Sequence, residues 1–370
     1  MKKQSGFTLI EFMVAMGITI VALAATMLAF RDATTTNQSV TLKSDLSDNL
    51  RAGVNLIEAD LIQAGQGIPT GGIPVPYTPG PASCLGSGGA PINRPNLTGG
   101  LTFPVCNVSL NAVEPGWELG PPITSPDSNP GVNTDLITVL YADNTLALNA
   151  RMINEPANGA NPGCPAGSIT NNGRTVTFDS TCILFSPTGV QINAGDLIMF
   201  SNAKGNAIQE VTSVSGQTLQ FVGGDGLNLN GRSDPQGTMT QLENTNTSGA
   251  PNGTFPPTTA TRIWMITYYL DNITDPQHVR LIRRVNWNPG QPVGETIENL
   301  QFKYNFVDGV TNPSGQQSIP AGLSESQIRS VDVILGARST NAWGKNHTYL
   351  RSNFMTQVSL RSMAYVNRYD

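Results

Sequence analysis

Charged side chains are scarce in this sequence. Asp, Glu, Lys and Arg make up 13% of the 370 residues, hydrophobic residues make up 39%, and the net charge is −5. Because the chain has no basic footprint, we expect no nucleic-acid partner. Scarce charge combined with 38 glycines and 26 prolines is typical of a β-rich extracytoplasmic domain with long loops.

Residues that bind metals or act in catalysis are also few. His278 and His347 are the two histidines, and no two cysteines form a CxxC pair, which argues against a zinc site. Asp271, Asp275 and the acidic residues within 225–234 lack the EF-hand ligand spacing, so we expect solvated loops there. The sequence has no GxSxG, HExxH or P-loop motif and no GxGxxG followed by a helix. We therefore expect no enzymatic activity and no cofactor or metal site.

The four cysteines, Cys84, Cys106, Cys164 and Cys182, lie in the middle of the chain. An even number outside the cytoplasm favours disulfides, and three pairings are possible. We expect Cys84–Cys106 and Cys164–Cys182, because each pair closes a short local loop. The alternative, four reduced and buried thiols, is disfavoured if the chain is exported.

Three arginines lie close together in sequence near a tryptophan. Arg280, Arg283 and Arg284 precede Trp287 and could contact the phosphates and a base of a nucleic acid. Three arginines on one hairpin more often form a solvated face, which is the interpretation we prefer.

The first thirty residues are a short basic leader followed by a long apolar run. Residues 1–6 read MKKQSG, and residues 7–30 contain one charged side chain, Glu11. As a helix, these 24 residues would span about 36 Å, enough to cross a hydrocarbon core of roughly 30 Å. Lys2 and Lys3 place the N-terminal flank in the cytoplasm, so we expect the remainder to be exported.

Glu11 is the informative residue of the apolar run. A charge inside a membrane segment costs about 2.5–3.5 kcal/mol, so a partner is expected. Cleavage between Gly6 and Phe7 would create an α-amine, and in a helical polymer this amine could neutralise Glu11 of a neighbouring subunit. Two alternatives are an ordinary signal peptide, with the Ala-Leu-Ala at 22–24 as its cleavage site, and a plain single-pass anchor.

The string GFTLIE at residues 6–11 resembles the class III signal of type IV prepilins and type II secretion pseudopilins. The resemblance implies that Gly6 is the last leader residue read by the prepilin peptidase. It also implies that Phe7 becomes the N-methylated first residue and that Glu11 is the assembly glutamate. Leu28 is a departure, since many major pilins carry a helix-bending proline at this position, and a straighter helix is implied here.

The helical period continues beyond the apolar run to about Ala64. Polar residues such as Asp60 are expected on its exposed faces, and Gly65 provides a stop signal. We expect residues 31–64 to extend the helix and a β-rich head, residues 65–370, to rest on its apolar side. The apolar stripe consists of Leu46, Leu50, Val54, Ile57 and Leu61.

The head sequence is loop-like from Gly65 to about Thr134 and strand-like afterwards. We expect a hairpin formed by residues 263–270 and 279–285, and a second loop-rich insertion from Gly223 to Gly253. The expected fold is α+β: a pilin-like long helix, membrane-spanning in its first half, packed on a large antiparallel sheet. The other predicted strands are 136–141, 197–200, 299–306, 330–338 and 354–366.

A weaker resemblance, to PilW-like minor pilins, extends over most of the chain. It implies a structural protein that helps form the initiating or tip complex from which the major pilin polymerises, supporting motility, adhesion or DNA uptake. The strings that carry it are DLIQAG at 60–65, TDLITV at 134–139, AGDLI at 194–198, IENLQFKY at 297–304, the strand at 331–338 and VSLR at 358–361.

This resemblance also implies partners and a location. The partners are other minor pilins and the major pilin through the N-terminal helix, the prepilin peptidase, the inner-membrane assembly platform and a tip adhesin. The chain would span the inner membrane once, with a cytoplasmic N-terminus, before it enters a pilus at the cell surface. A minor pseudopilin of a type II secretion system is the alternative within this class. A membrane-anchored periplasmic enzyme or carbohydrate-binding module is the alternative outside it.

Overall fold

One long α-helix and eighteen strands, with a few short 3-10 helices, make up the regular structure of the described residues. The computed structural model describes residues 8–76, 93–94, 101–102, 109–124, 133–143, 145–146, 148, 153–154, 167–178, 192–231, 236–343 and 348–360. The helix is α1, Leu9–Gln63. The strands are β1 Ile73–Pro74, β2 Asn93–Arg94, β3 Leu101–Thr102, β4 Ser109–Leu110, β5 Val113–Gly116, β6 Leu136–Asp143, β7 Ser168–Thr170, β8 Thr175–Thr177, β9 Leu197–Asn202, β10 Gly205–Glu210, β11 Ser213–Ser215, β12 Thr218–Gln220, β13 Thr259–Asp271, β14 Arg280–Val285, β15 Gln291–Gly294, β16 Ile297–Phe306, β17 Ile328–Arg338 and β18 Arg351–Ser359.

The largest sheet is antiparallel, has seven strands and is organised around β13. One edge of β13 pairs with β6 along Arg262–Tyr268. The other edge is shared end to end, by β9 along Thr259–Ile263 and by β14 along Ile266–Asp271. The sheet is completed by β10 beside β9, β15 beside β14 and β5 beside β6. The helix and these antiparallel sheets confirm the expected α+β, pilin-like fold.

The described residues also form four smaller sheets, two of which have only two strands, β1 with β4 and β2 with β3. β16, β17 and β18 form a three-stranded antiparallel sheet whose last two strands pack against α1. A four-stranded sheet has the order β11-β12-β8-β7. The first core lies between α1 and the sheets of β13 and β17, whereas the second core is built on the four-stranded sheet. β13 contributes to both, through Tyr268 in the first and Ala260 in the second.

The helix ends where the sequence predicts, and its end is tied to the large sheet. Ala64 is the C-cap, and Gly65 follows with a positive φ of 79°. The Gly65 N–H donates to the Leu140 carbonyl at 2.9 Å, and the Ala142 N–H donates to the Gln66 carbonyl at 2.7 Å. The predicted apolar stripe from Leu46 to Leu61 is buried, which confirms that the head rests on it.

A glycine in α1 allows the helix to approach the sheets closely. A Cβ at Gly53 would lie 2.9 Å from Leu281 Cδ2 and 3.2 Å from Leu335 Cδ2. These leucines belong to β14 and β17, so Gly53 sits where the helix crosses both sheets. A side chain there would push the helix away from the first core.

The predicted strands of the second half are confirmed at β6, β9, β13, β14, β16 and β17, with small shifts at their ends. The last predicted strand, 354–366, corresponds to β18, which runs from Arg351 to Ser359 and therefore starts earlier than expected. Residues 361–366 lie outside the described part. The prediction of a loop from Gly65 to Thr134 was wrong at β5, which is fully buried and paired with β6. Pro115 and Gly116, which are uncommon in strands, are the reason that the sequence did not predict it. The four-stranded sheet was not predicted, because its strands have only three residues each.

Two carboxyl groups, not a solvated loop, organise the first part of the 223–253 insertion. Glu210 and Asp225 are 4% and 8% exposed, and the charge of Asp225 acts on Glu210. The Leu227 N–H donates to Glu210 Oε2 at 2.8 Å, and the Leu229 N–H donates to Asp225 Oδ2 at 2.7 Å. The expectation that these acidic loops are solvated was wrong for Asp225 and also for Asp271, which is 2% exposed.

This carboxyl pair predicts that the head loses stability as pH rises. Burial, followed by the neighbouring charge of Asp225, raises the pKa of Glu210 from 4.5 to about 7. The folded state therefore holds a proton that the unfolded state releases, and stability falls between about pH 4.5 and 7, by roughly 3 kcal/mol. We expect Glu210→Gln to flatten this decline when unfolding is followed from pH 5 to 7.5. The exposed Glu295→Gln is the control, and an unchanged slope in Glu210→Gln would contradict the prediction.

Candidate functional site on the N-terminal helix

The N-terminus of α1 is closed by a capping box between Thr8 and Glu11. Thr8 N and Thr8 Oγ1 both donate to Glu11 Oε2 at 2.9 Å, and the Glu11 N–H donates to Thr8 Oγ1 at 3.4 Å. A carboxylate in the first turn also interacts favourably with the helix dipole. Glu11 therefore has a partner within its own chain, in addition to the amine of a neighbouring subunit that was expected.

The first half of α1 exposes its apolar side chains on all sides. Large hydrophobic residues from Leu9 to Phe30 are exposed, an area far larger than the apolar patches of ordinary soluble surfaces. Within the described residues, α1 is the single helix long and apolar enough to cross a membrane. A lipid bilayer or the helices of neighbouring subunits would cover such a surface.

The hydroxyl groups in this apolar half are satisfied inside the helix. Thr19 Oγ1 donates to the Ala15 carbonyl at 2.7 Å, and Thr26 Oγ1 donates to the Leu23 carbonyl at 2.9 Å. Because neither hydroxyl needs water or an outside partner, both can enter an apolar environment at low cost. Glu11 is thus the one ionisable group in the apolar stretch of α1 up to Phe30.

Asp60, near the other end of α1, fastens the helix to the head. It was expected on an exposed face, but the structure buries it at 4% exposure. Its carboxylate accepts four hydrogen bonds: from Tyr141 Oη at 3.1 Å, Tyr268 Oη at 2.5 Å, Arg283 Nε at 2.7 Å and Arg283 Nη2 at 3.0 Å. Burial, then the charge of Asp60, holds the pKa of both tyrosines well above the usual range. Both hydroxyls therefore remain protonated donors.

The three arginines of β14 do not share a face. Arg283 points to α1 and binds Asp60. Arg284, on the opposite face, stacks 4.8 Å from the Trp287 ring centroid and donates from Nε to the Asn288 carbonyl at 2.7 Å. Because alternate residues of a strand face opposite sides, Arg283 is separated from Arg280 and Arg284, and the interpretation of one solvated face for all three arginines was wrong.

Several predicted site residues lie outside the described part of the chain: Gly6, Phe7, Cys84, Cys106, Cys164, Cys182 and His347. His278 is about half exposed, with Nδ1 at 2.9 Å from Asp275 Oδ2. In the described ranges, no three His, Cys, Asp or Glu side chains are grouped as a metal site would require.

Comparison with known proteins gives one match, at the N-terminus. A family model described as the prokaryotic N-terminal methylation motif matches residues 1–27. No curated protein and no solved structure matches the chain. The matched segment contains Gly6, Phe7 and Glu11 as well as the start of α1. Proteins with this motif are typically structural, and the motif together with the apolar helix supports a type IV pilin-like protein, a pilin or pseudopilin anchored in a membrane before it joins a filament.

Proposed function

We propose that the chain is a PilW-like minor pilin that helps initiate or assemble a type IV pilus. The observation that carries this proposal is Glu11, a single acid in the exposed apolar half of a helix that continues into the core of a large head. In this role the protein acts through assembly and supports motility, adhesion or DNA uptake.

The proposed pathway begins at the leader, residues 1–6. The prepilin peptidase cleaves between Gly6 and Phe7, and Phe7 is N-methylated. The new amine then lies one residue before the helix N-cap, Thr8, and four residues before Glu11. Residues 7–30 anchor the chain in the inner membrane, with the N-terminus cytoplasmic, until Glu11 meets the amine of a neighbouring pilin in the filament.

The size of the head supports the proposal that the protein occupies a rare position in the filament. Residues 31–64 carry the stripe that packs on the head, and the head, residues 65–370, contains most of the chain mass. A bulky head is accommodated more easily at a tip or in a priming complex than in dense stacking along a shaft. The proposed partners are the major pilin, other minor pilins, the assembly platform and a tip adhesin. The disulfides Cys84–Cys106 and Cys164–Cys182 remain part of this proposal.

A minor pseudopilin of a type II secretion system would use the same helix. The matched methylation motif is confined to residues 1–27, so it supports both classes equally. The two are separated by where the protein accumulates, in pili or with the secretion apparatus.

Mass spectrometry of sheared pili and of the membrane fraction tests the proposal. We expect a mature N-terminus at methylated Phe7, with the protein far less abundant in pili than the major subunit. Deletion of the protein should sharply reduce piliation. A retained leader or an N-terminus at Ala25 would contradict pilin processing, and a dominant amount in the filament would contradict the minor role.

A further inference from the structure

The large sheet has a pocket on the face that points away from α1. In the β13–β14 register, Tyr269 pairs with Ile282 and Asp271 pairs with Arg280. Their neighbours Tyr268 and Leu281 belong to the first core beneath α1, so these two pairs lie on the opposite face. They line a cavity of about 280 Å³, which we call the β14 pocket. This volume is near the lower end of small-ligand sites.

Positive charge predominates in the β14 pocket. Its ionisable lining residues other than Tyr269 are Arg280, Arg284 and Asp271. The Asp271 carboxylate is already occupied, because it accepts from Ile273 N at 2.9 Å, from Thr274 N at 3.0 Å and from Thr274 Oγ1 at 2.6 Å. Arg280 adds a fourth hydrogen bond, from Nη2 to Asp271 Oδ2 at 3.1 Å. The acid therefore orients Arg280 and has little capacity left for a ligand.

Arg280 keeps a donor that no neighbour uses. Its Nε is buried and has no hydrogen-bond partner among the described residues. A buried N–H without an acceptor costs free energy. Because Nε itself is covered, a ligand in the pocket would reach the guanidinium through the exposed quarter of the Arg280 side chain. Arg284, by contrast, is held by its stack on Trp287 and by its bond to the Asn288 carbonyl. Arg280 is thus the group best placed to bind an anion.

One wall of the pocket is apolar and is formed by a loop that lies close to the sheet. Pro289, Gly290 and Pro292 border it beside Ile282. A Cβ at Gly290 would lie 2.5 Å from Ile282 Cγ2 and 2.9 Å from Tyr269 Oη, so the loop approaches the sheet as closely as glycine permits. The pocket therefore combines charged and polar groups with an apolar wall, which suits a small ligand that has a charged end.

We propose that the β14 pocket binds a small oxyanion, a carboxylate or phosphate group, through Arg280. The Arg280 guanidinium lies in a partly buried site, and the carboxylate of Asp271 beside it already accepts four hydrogen bonds. A charged guanidinium in such a site binds carboxylate and phosphate groups well. The proposal concerns the head alone and does not depend on the chain being a pilin.

Titration calorimetry on the full-length chain in detergent tests this inference with three probes: D-glucuronate, inorganic phosphate and neutral D-glucose. We expect saturable binding of glucuronate or phosphate and none of glucose, and the stronger of the two anions identifies the group the pocket prefers. Arg280→Gln should weaken that binding about tenfold or more. Arg280→Lys, which keeps the charge but not the planar guanidinium, should weaken it less.

Arg329→Gln, an exposed arginine on β17, is the matched control and should bind as the wild type does. Absence of saturable binding for both anions would overturn the proposal. So would wild-type affinity in Arg280→Gln, or, if that variant does not fold, wild-type affinity in Arg280→Lys.

Discussion

Replacing Glu11 with alanine is expected to abolish incorporation into filaments while leaving membrane insertion and leader cleavage intact. The reason is the cost of the acid: about 2.5–3.5 kcal/mol in an apolar core, unless a neighbouring amine neutralises it. Without Glu11, that amine is the group left unpaired. The measurement compares the amounts of processed protein in membranes and in sheared pili by immunoblotting.

The capping box supplies two matched variants for this experiment. Glu11→Gln keeps an acceptor at the third helical position, and so keeps the capping box, but removes the charge. Thr8→Ala removes the cap but keeps the charge. If charge pairing drives assembly, Glu11→Gln fails and Thr8→Ala assembles. The reverse pattern would show that capping of α1, seen between Thr8 and Glu11, is what assembly requires.

Replacing Asp60 with alanine is expected to destabilise the head by about 3–5 kcal/mol, the range for breaking a buried ion pair. The change leaves Arg283 without its anion and deprives the hydroxyls of Tyr141 and Tyr268 of their acceptor. Denaturant unfolding followed by tryptophan fluorescence measures the effect, since all four tryptophans lie beyond α1.

Asp48→Ala is the matched control for Asp60, because it removes an exposed aspartate from the same helix. We expect it to change stability by less than about 0.5 kcal/mol. Asp60→Asn, which keeps the shape but not the charge, should fall between the two. An equal, small effect of Asp60→Ala and Asp48→Ala would contradict the role assigned to the buried cluster.

Local patterns in the sequence predict much of this fold. The spacing from Leu46 to Leu61 and the glycine at 65 place the helix end within a residue or two of Gln63. The alternation of Leu300, Phe302, Tyr304 and Phe306 identifies β16, whose alternate residues are buried. These patterns are reliable because each reports one face of one element.

Contacts between distant parts of the sequence could not be predicted in the same way. Asp60 looks like any polar residue on a helix, and its burial depends on Arg283, which is 223 residues further on. Likewise, β5 forms a strand despite Pro115 because it pairs with the edge of β6. In the candidate site, GFTLIE identifies Glu11 directly. The β14 pocket around Arg280, by contrast, forms only when β13 and β14 pair.

The position of β13 has a mechanical consequence. At one end Ala260 is buried in the second core, and further along Tyr268 holds Asp60 of α1. An extended strand of 13 residues spans roughly 40 Å and cannot lengthen without breaking its ladders. A force that pulls on the second core would therefore pass through β13 and its paired strands toward α1. The Asp60 cluster, together with the backbone bond from Gly65 to Leu140, is among the contacts that would transmit it to the helix.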